Sequence, residues 1–215
     1  MELKIVFLIL LGVVSVVYLI TLFFKPNLFQ YILKSCLMPL ILCVYIFSVG
    51  INNIFLPIVL AMIFAWMGDV LLIRIINRLC FKLGLASFLI GHIFYIIAMS
   101  GYAMPFNIPV LIISIIVAAC FGITAFKIVR PDKQMRIPVI AYEAIIMIMA
   151  IFALQLFISD KTMFGILVFA GSISFVVSDT LLALQTFRKF PVYFPVMVTY
   201  IAAQTLIMLG FTMTL

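Results

Sequence analysis

Long apolar runs, each close to a membrane span in length, alternate along the chain with short polar breaks. A helix crosses the hydrocarbon core with about 20 apolar residues. On that scale the pattern predicts eight helices, near 5–24, 32–50, 54–76, 83–103, 107–128, 138–158, 162–184 and 193–214. The breaks carry loop chemistry: Lys25-Pro26-Asn27, Gly50-Ile51-Asn52-Asn53, Arg130-Pro131-Asp132-Lys133 and Arg188-Lys189-Phe190-Pro191. Proline and asparagine clusters of this kind punctuate helices. The first run, Ile5 to Phe24, exceeds the roughly 7–15 residues of a leader core and has no small-x-small site after it, so it is expected to be a helix of the protein.

Composition fixes the solvent. Of the 215 residues, 68% are hydrophobic and 9% charged, against roughly 25% charged in soluble domains. So few charges cannot cover a water-facing surface. The expectation is an all-α integral membrane protein, one transmembrane domain over residues 1–215 with short loops. The net charge of +7 does not indicate nucleic acid, because the basic residues are scattered at helix ends with no basic, aromatic-laced face. All but Lys4 and Lys161 of the 13 basic residues fall on one side of the expected topology. That bias puts loops 1–2, 3–4, 5–6 and 7–8 in the cytoplasm and both termini outside a plasma or inner membrane. Cys36, Cys43, Cys80 and Cys120 stand singly, with no C-x-x-C pair, and read as free thiols used as small apolar residues.

An internal repeat is visible. Helix three carries Gly68-Asp69-Val70-Leu71-Leu72 and helix seven carries Ser178-Asp179-Thr180-Leu181-Leu182. Arg78 and Arg188 share the same offset. Helices four apart run in the same direction, so the pattern suggests two parallel four-helix halves related by an axis along the membrane normal. Chance recurrence of Leu-Leu in lipid-facing helices is the alternative.

The chemistry resides in polar residues inside the spans. Glu2, Asp132 and Asp160 are terminal or in loops, whereas Asp69, Glu143 and Asp179 fall within helices, as does the single histidine, His92. A carboxylate there costs about 2.5–3.5 kcal/mol on insertion scales, so it needs a partner or a function. At about 1.5 Å per residue, Asp69 lies roughly 10 Å, His92 roughly 14 Å, Asp179 and Glu143 roughly 8 Å and Gln204 roughly 15 Å from the cytoplasmic end. The polar groups therefore converge on one half of the bilayer. Structural alternatives exist for each. Asp69 and Asp179 can pin helices through Lys34 or Arg74, and Glu143 can pair with Arg136 or Lys34. His92 and Tyr95 can be interior packing, Trp66 a packing residue or interface anchor, and Tyr200 with Gln204 an i,i+4 pair bonded between helices. One histidine excludes a three-histidine zinc site; a carboxylate-rich metal site stays open, but neither metal nor cofactor is expected. A triad drawn from Ser178, His92 and Asp179 fails because neighbours on a helix do not face each other.

These residues carry a resemblance to the YhhN family of lysoplasmalogenase-like membrane proteins. The matching pieces are Lys34 with Met38-Pro39-Leu40, then Gly68-Asp69-Val70-Leu71-Leu72. Gly84, Phe88, Gly91-His92 and Tyr95 follow on helix four and Tyr142 on helix six. Gly171, Phe175 and Ser178-Asp179-Thr180-Leu181-Leu182 lie on helix seven, and Tyr200 with Gln204 on helix eight. The resemblance implies an eight-helix fold and hydrolysis of the vinyl ether bond of lysoplasmalogens, giving a fatty aldehyde and glycerophospho-ethanolamine or -choline. Such hydrolysis needs a protonated acid and an ionised base, for which Asp69 and Asp179 are the candidates, with His92 orienting water or relaying protons. Lys34 is the candidate for the lipid phosphate, and Tyr142, Tyr200 and Gln204 complete the substrate site. Glu143 matches no position of the family pattern. The expected partners are a lysophospholipid drawn from the bilayer and membrane lipids, with no obligate protein partner. The competing readings are a lipid or small-solute transporter or binding protein, and a hydrolase of another ether or ester lysolipid.

Overall fold

The computed structural model describes residues 2–73, 78–102 and 105–213. Among them the chain is helical throughout, with no strand: α1 (Glu2–Thr21), α2 (Leu28–Val49), α3 (Leu56–Ile73), α4 (Arg78–Ser100), α5 (Ile108–Val129), α6 (Arg136–Ser159), α7 (Met163–Arg188) and α8 (Tyr193–Thr212). All eight are long and apolar enough to cross a membrane, so the protein is a multi-pass membrane protein. Residues 74–76, 103 and 214 of the expected helices, and with them Arg74, lie outside the described residues.

The ends depart from the hydropathy reading where polar residues are helical. α2 starts four residues early because Asn27 caps it, its side-chain oxygen accepting the Gln30 N–H at 2.9 Å; capping by Asn satisfies one of the free amides of the first turn. α4 starts at Arg78 rather than 83 and carries Lys82 within it, since long basic side chains reach the interface while their stems stay in lipid. α7 continues four residues past 184, to Arg188. Arg130 and Lys189 close α5 and α7 in the left-handed region, at φ 50° and 56°. Gly50-Ile51-Asn52-Asn53 contains a short 3₁₀ turn over Ile51–Asn53.

Backbone proximity divides the chain into two compact units, 1–95 and 96–213, with the division inside α4. In the first unit α1 packs on α2 and α2 on α3. The Trp66 indole on α3 donates to the Ser35 carbonyl on α2 at 3.0 Å, and the Ser87 hydroxyl on α4 donates to the Phe64 carbonyl on α3 at 2.6 Å. Glycines bring α3 and α4 together. A Cβ on Gly91 would lie 3.1 Å from the Ala61 carbonyl oxygen, and one on Gly68 would lie 2.5 Å from the Phe88 ring. Small residues allow this approach in lipid, where packing rather than hydrophobic exclusion drives helix association.

In the second unit α7 and α8 form the tightest pair and α6 packs on α7. A Cβ on Gly171 would lie 2.9 Å from the Ala203 carbonyl oxygen and 3.0 Å from the Ile207 nitrogen. The Ser178 hydroxyl on α7 donates to the Val196 carbonyl on α8 at 3.1 Å. Tyr102 meets Phe164 and Phe211 at ring-centroid distances of 4.8 and 5.9 Å. α5 is the outer helix, with only Ser114, Ala125 and Val129 buried.

Candidate functional site

Each unit holds its own cluster of buried and half-buried polar side chains. In the first, Asp69 projects from α3 at 3% exposure, and the Lys34 ammonium on α2 stands 3.5 Å from its Oδ1. Of the two partners open to Asp69, Lys34 is the one observed; Arg74 is not described. Gly68, one residue earlier, makes room for the Phe88 ring against α3. One turn further along α4 come His92 and Tyr95, both 1% exposed. Lys34 therefore shares its charge with a carboxylate, which limits what it can offer a lipid phosphate.

The second unit holds the other expected residues. Asp179 sits on α7, and the Tyr142 hydroxyl on α6 donates a hydrogen bond to its Oδ2. Both line a cavity of about 50 Å³ together with Glu143, Thr180 and Phe126. A cavity needs only about 10–15 Å³ to hold one water molecule, so this one can admit a water or a small reacting group. Thr180 is turned to its own helix, donating to the Val176 carbonyl at 2.7 Å. On α8 the fully buried Gln204 amide reaches the Tyr200 hydroxyl at 3.5 Å, and the Phe175 ring of α7 lies edge-on to Tyr200 with centroids 5.7 Å apart. Ser178, which the triad arrangement would have needed as nucleophile, is committed to the Val196 carbonyl.

Two expected pairs are thus brought together, Lys34 with Asp69 and Tyr200 with Gln204, and Tyr142 joins Asp179, for which the sequence had offered only Lys34 or Arg74. Lys34, Asp69 and His92 belong to the first unit, and Asp179, Tyr142, Tyr200 and Gln204 to the second. Among the described residues no three His, Cys, Asp or Glu side chains gather as a metal site would require.

Glu143 is the in-helix carboxylate whose surroundings the sequence left open. It makes no ion pair among the described residues; it lines the Asp179 cavity, and it packs over α5 where Gly122 leaves space, a Cβ there lying 3.6 Å from its Oε1. Its position next to Tyr142 was the available signal. The sequence puts neighbouring side chains about 100° apart on a helix, and a wall that wraps the cavity accepts both.

Neither the search of curated proteins nor that of solved structures gives a match. The YhhN family model matches residues 29–211, a stretch that begins in α2, ends in α8 and contains every residue of both polar clusters. With most of its length matched in this way, the chain belongs to the YhhN family.

Proposed function

We propose that the protein is a lysoplasmalogenase-like ether hydrolase, cleaving the vinyl ether bond of alkenyl lysophospholipids to a fatty aldehyde and glycerophospho-ethanolamine or -choline. The observation that carries this reading is a carboxylate, Asp179, tied to a tyrosine hydroxyl on the wall of a water-sized cavity within an apolar bundle. Membership of the YhhN family supports it. The unbroken course of the described helices favours it over a transporter, whose site is commonly built from interrupted helices.

The chemistry asks for an acid and a base in turn. A carboxylic acid protonates the β-carbon of the vinyl ether, leaving an oxocarbenium ion. Water adds to the carbon that bears the oxygen and gives its proton back to a carboxylate. The hemiacetal then collapses to the aldehyde and the freed glycerol hydroxyl, so one water is consumed and the catalyst is restored. A fixed negative group beside the cationic intermediate stabilises it most where water is excluded. In this proposal Tyr142 holds Asp179 in one orientation, Tyr200 and Gln204 shape the substrate site, and Asp69 and His92 are further catalytic residues. Lys34 supplies the counter-charge of Asp69. The active chain spans the plasma or inner membrane with loops 1–2, 3–4, 5–6 and 7–8 cytoplasmic and both termini outside.

The test is aldehyde release by the purified protein in detergent, from alkenyl lysophosphatidylethanolamine with the saturated alkyl ether as control. Aldehyde is expected from the vinyl ether alone. Asp179→Asn is expected to lower kcat by about 10²–10⁴-fold, the usual contribution of a positioned acid or base, and Asp69→Asn is measured beside it. A folded sample that releases no aldehyde, or an Asp179→Asn variant with full turnover, would overturn the reading. Another product from an alkyl ether or ester lysolipid would move the substrate within the same enzyme class.

A further inference from the structure

The outer face of the second unit carries charge and space that the mechanism above leaves unused. Between α5 and α6 runs an open-sided groove of about 500 Å³. Its walls are apolar, with Ile115, Ala119 and Ile123 from α5 facing Ile140, Met147 and Ile151 from α6, and only two charged residues line it, Lys127 and Glu143. At Lys127 the groove meets a second hollow of about 450 Å³, whose polar lining is Lys127, Arg130 and Arg136. At Glu143 it meets the inner cavity that holds Asp179. Phe126 lines all three spaces. From the α5–α6 loop inward, a basic mouth, the Glu143 carboxylate and an apolar track therefore follow one another.

The mouth is built for an anion. None of its three cations is in an ion pair among the described residues. Arg130, in the left-handed conformation at φ 50°, donates its Nε–H to the Lys127 carbonyl at 3.2 Å, so its guanidinium is held back beside Lys127 rather than trailing into solvent. Basic pockets between transmembrane helices suit lipid phosphates, and a guanidinium pairs strongly with phosphate oxygens. The volume of the groove falls within the roughly 300–1,000 Å³ of small-ligand sites.

We infer that the α5–α6 face binds one single-chain phospholipid, with its phosphate on Lys127, Arg130 and Arg136, its hydrocarbon chain along the groove, and the linkage between glycerol and chain beside Glu143. The depth agrees. Glu143 lies two turns of α6, about 10 Å, beyond Arg136, a distance that the glycerol bridge between phosphate and chain covers together with the reach of the Arg136 and Glu143 side chains. Gly122 of α5 lies directly against the Glu143 carboxylate, a Cβ there falling in ordinary van der Waals contact with its Oε1 at 3.6 Å, so only a side chain larger than alanine's would fill this part of the groove. That the linkage is a vinyl ether rests on the proposed hydrolase activity; the fit of phosphate and chain does not.

Binding is measured on the purified full chain with the alkyl-ether lysophosphatidylethanolamine, which the proposed reaction cannot cleave, and with the corresponding monoalkylglycerol, which has no phosphate. The triple variant Lys127→Gln, Arg130→Gln, Arg136→Gln is expected to weaken binding of the phospholipid about tenfold or more and to leave the monoalkylglycerol unchanged. Gly122→Leu, which fills the groove without removing a charge, is expected to weaken both. The three cations are exposed, so the triple variant should melt as the wild type does; should it melt lower, Arg136→Glu alone is read in its place. Unchanged phospholipid affinity in a folded charge variant overturns the inference. Glu143→Gln is expected to bind normally and to lose kcat, and full kcat there would remove Glu143 from the linkage. The two readings separate cleanly. Groove binding without aldehyde release defeats the hydrolase and leaves the groove, whereas aldehyde release with an unchanged KM in the triple variant defeats the groove and leaves the hydrolase.

Discussion

Asp69 and Lys34 are a charge pair in a place where charges are expensive. The carboxylate is 3% exposed, and removing one member of a buried pair strands the other at a cost of about 3–5 kcal/mol. Lys34→Met is therefore expected to destabilise the protein by about that amount, while Lys34→Met combined with Asp69→Leu recovers most of the loss, read by thermal melting in detergent. A Lys34→Met protein that melts like the wild type would show that the pair carries no structural role. At this scale the sequence was legible in part. Charges inside apolar runs stand out, so Asp69, Asp179 and His92 could be picked without a structure. Their partners could not, because Lys34 or Arg74 as mate for Asp69 depends on how α2 and α3 are rotated about their axes. The place of Glu143 stayed open for the same reason: it lines a groove shared with α5, and nothing in its own helix announces that groove. Lys127, Arg130 and Arg136 read as topology markers, since a basic loop looks the same whether its side chains trail in solvent or line a hollow.

Helices were legible as objects and less so at their ends. Hydropathy discards basic and amide residues that a real helix carries into the interface, which is why α4 begins at Arg78 and α7 ends at Arg188. How helices touch was not legible, and here glycine decides. On Gly171 a Cβ would meet α8 backbone, the Ala203 oxygen at 2.9 Å and the Ile207 nitrogen at 3.0 Å, and backbone cannot turn aside as a side chain can. Gly171→Ala is expected to destabilise the protein by about 1–3 kcal/mol, the usual cost of overpacking. Gly12→Ala on α1, where nothing lies within 4 Å, is expected to be neutral or to stabilise by up to about 1 kcal/mol, because alanine is the better helix former. Paired melting curves decide it; similar shifts in both would mean that α7 and α8 can part without loss.

For the whole molecule, eight spans could be counted from the sequence because the contrast between apolar runs and polar breaks is large. The internal repeat suggested a boundary between the fourth and fifth helices, whereas the compact units divide inside α4; its C-terminal end leads to Tyr102, whose ring packs at a tilt against Phe164 and Phe211 of the second unit. The proposed orientation is testable at this scale. In a background with the four native cysteines replaced by alanine, an impermeant maleimide applied to intact cells is expected to label Lys161→Cys and not Lys133→Cys; the opposite pattern would invert the topology. A last consequence belongs to α5. Its 22 residues measure about 33 Å, slightly more than a hydrocarbon core of about 30 Å, and only three of them are buried. A helix so lightly held adjusts its tilt to the thickness of the bilayer. Because α5 is also one wall of the groove, thick and thin membranes set that wall at different angles, and the composition of the host membrane becomes part of what selects the chain that lies there.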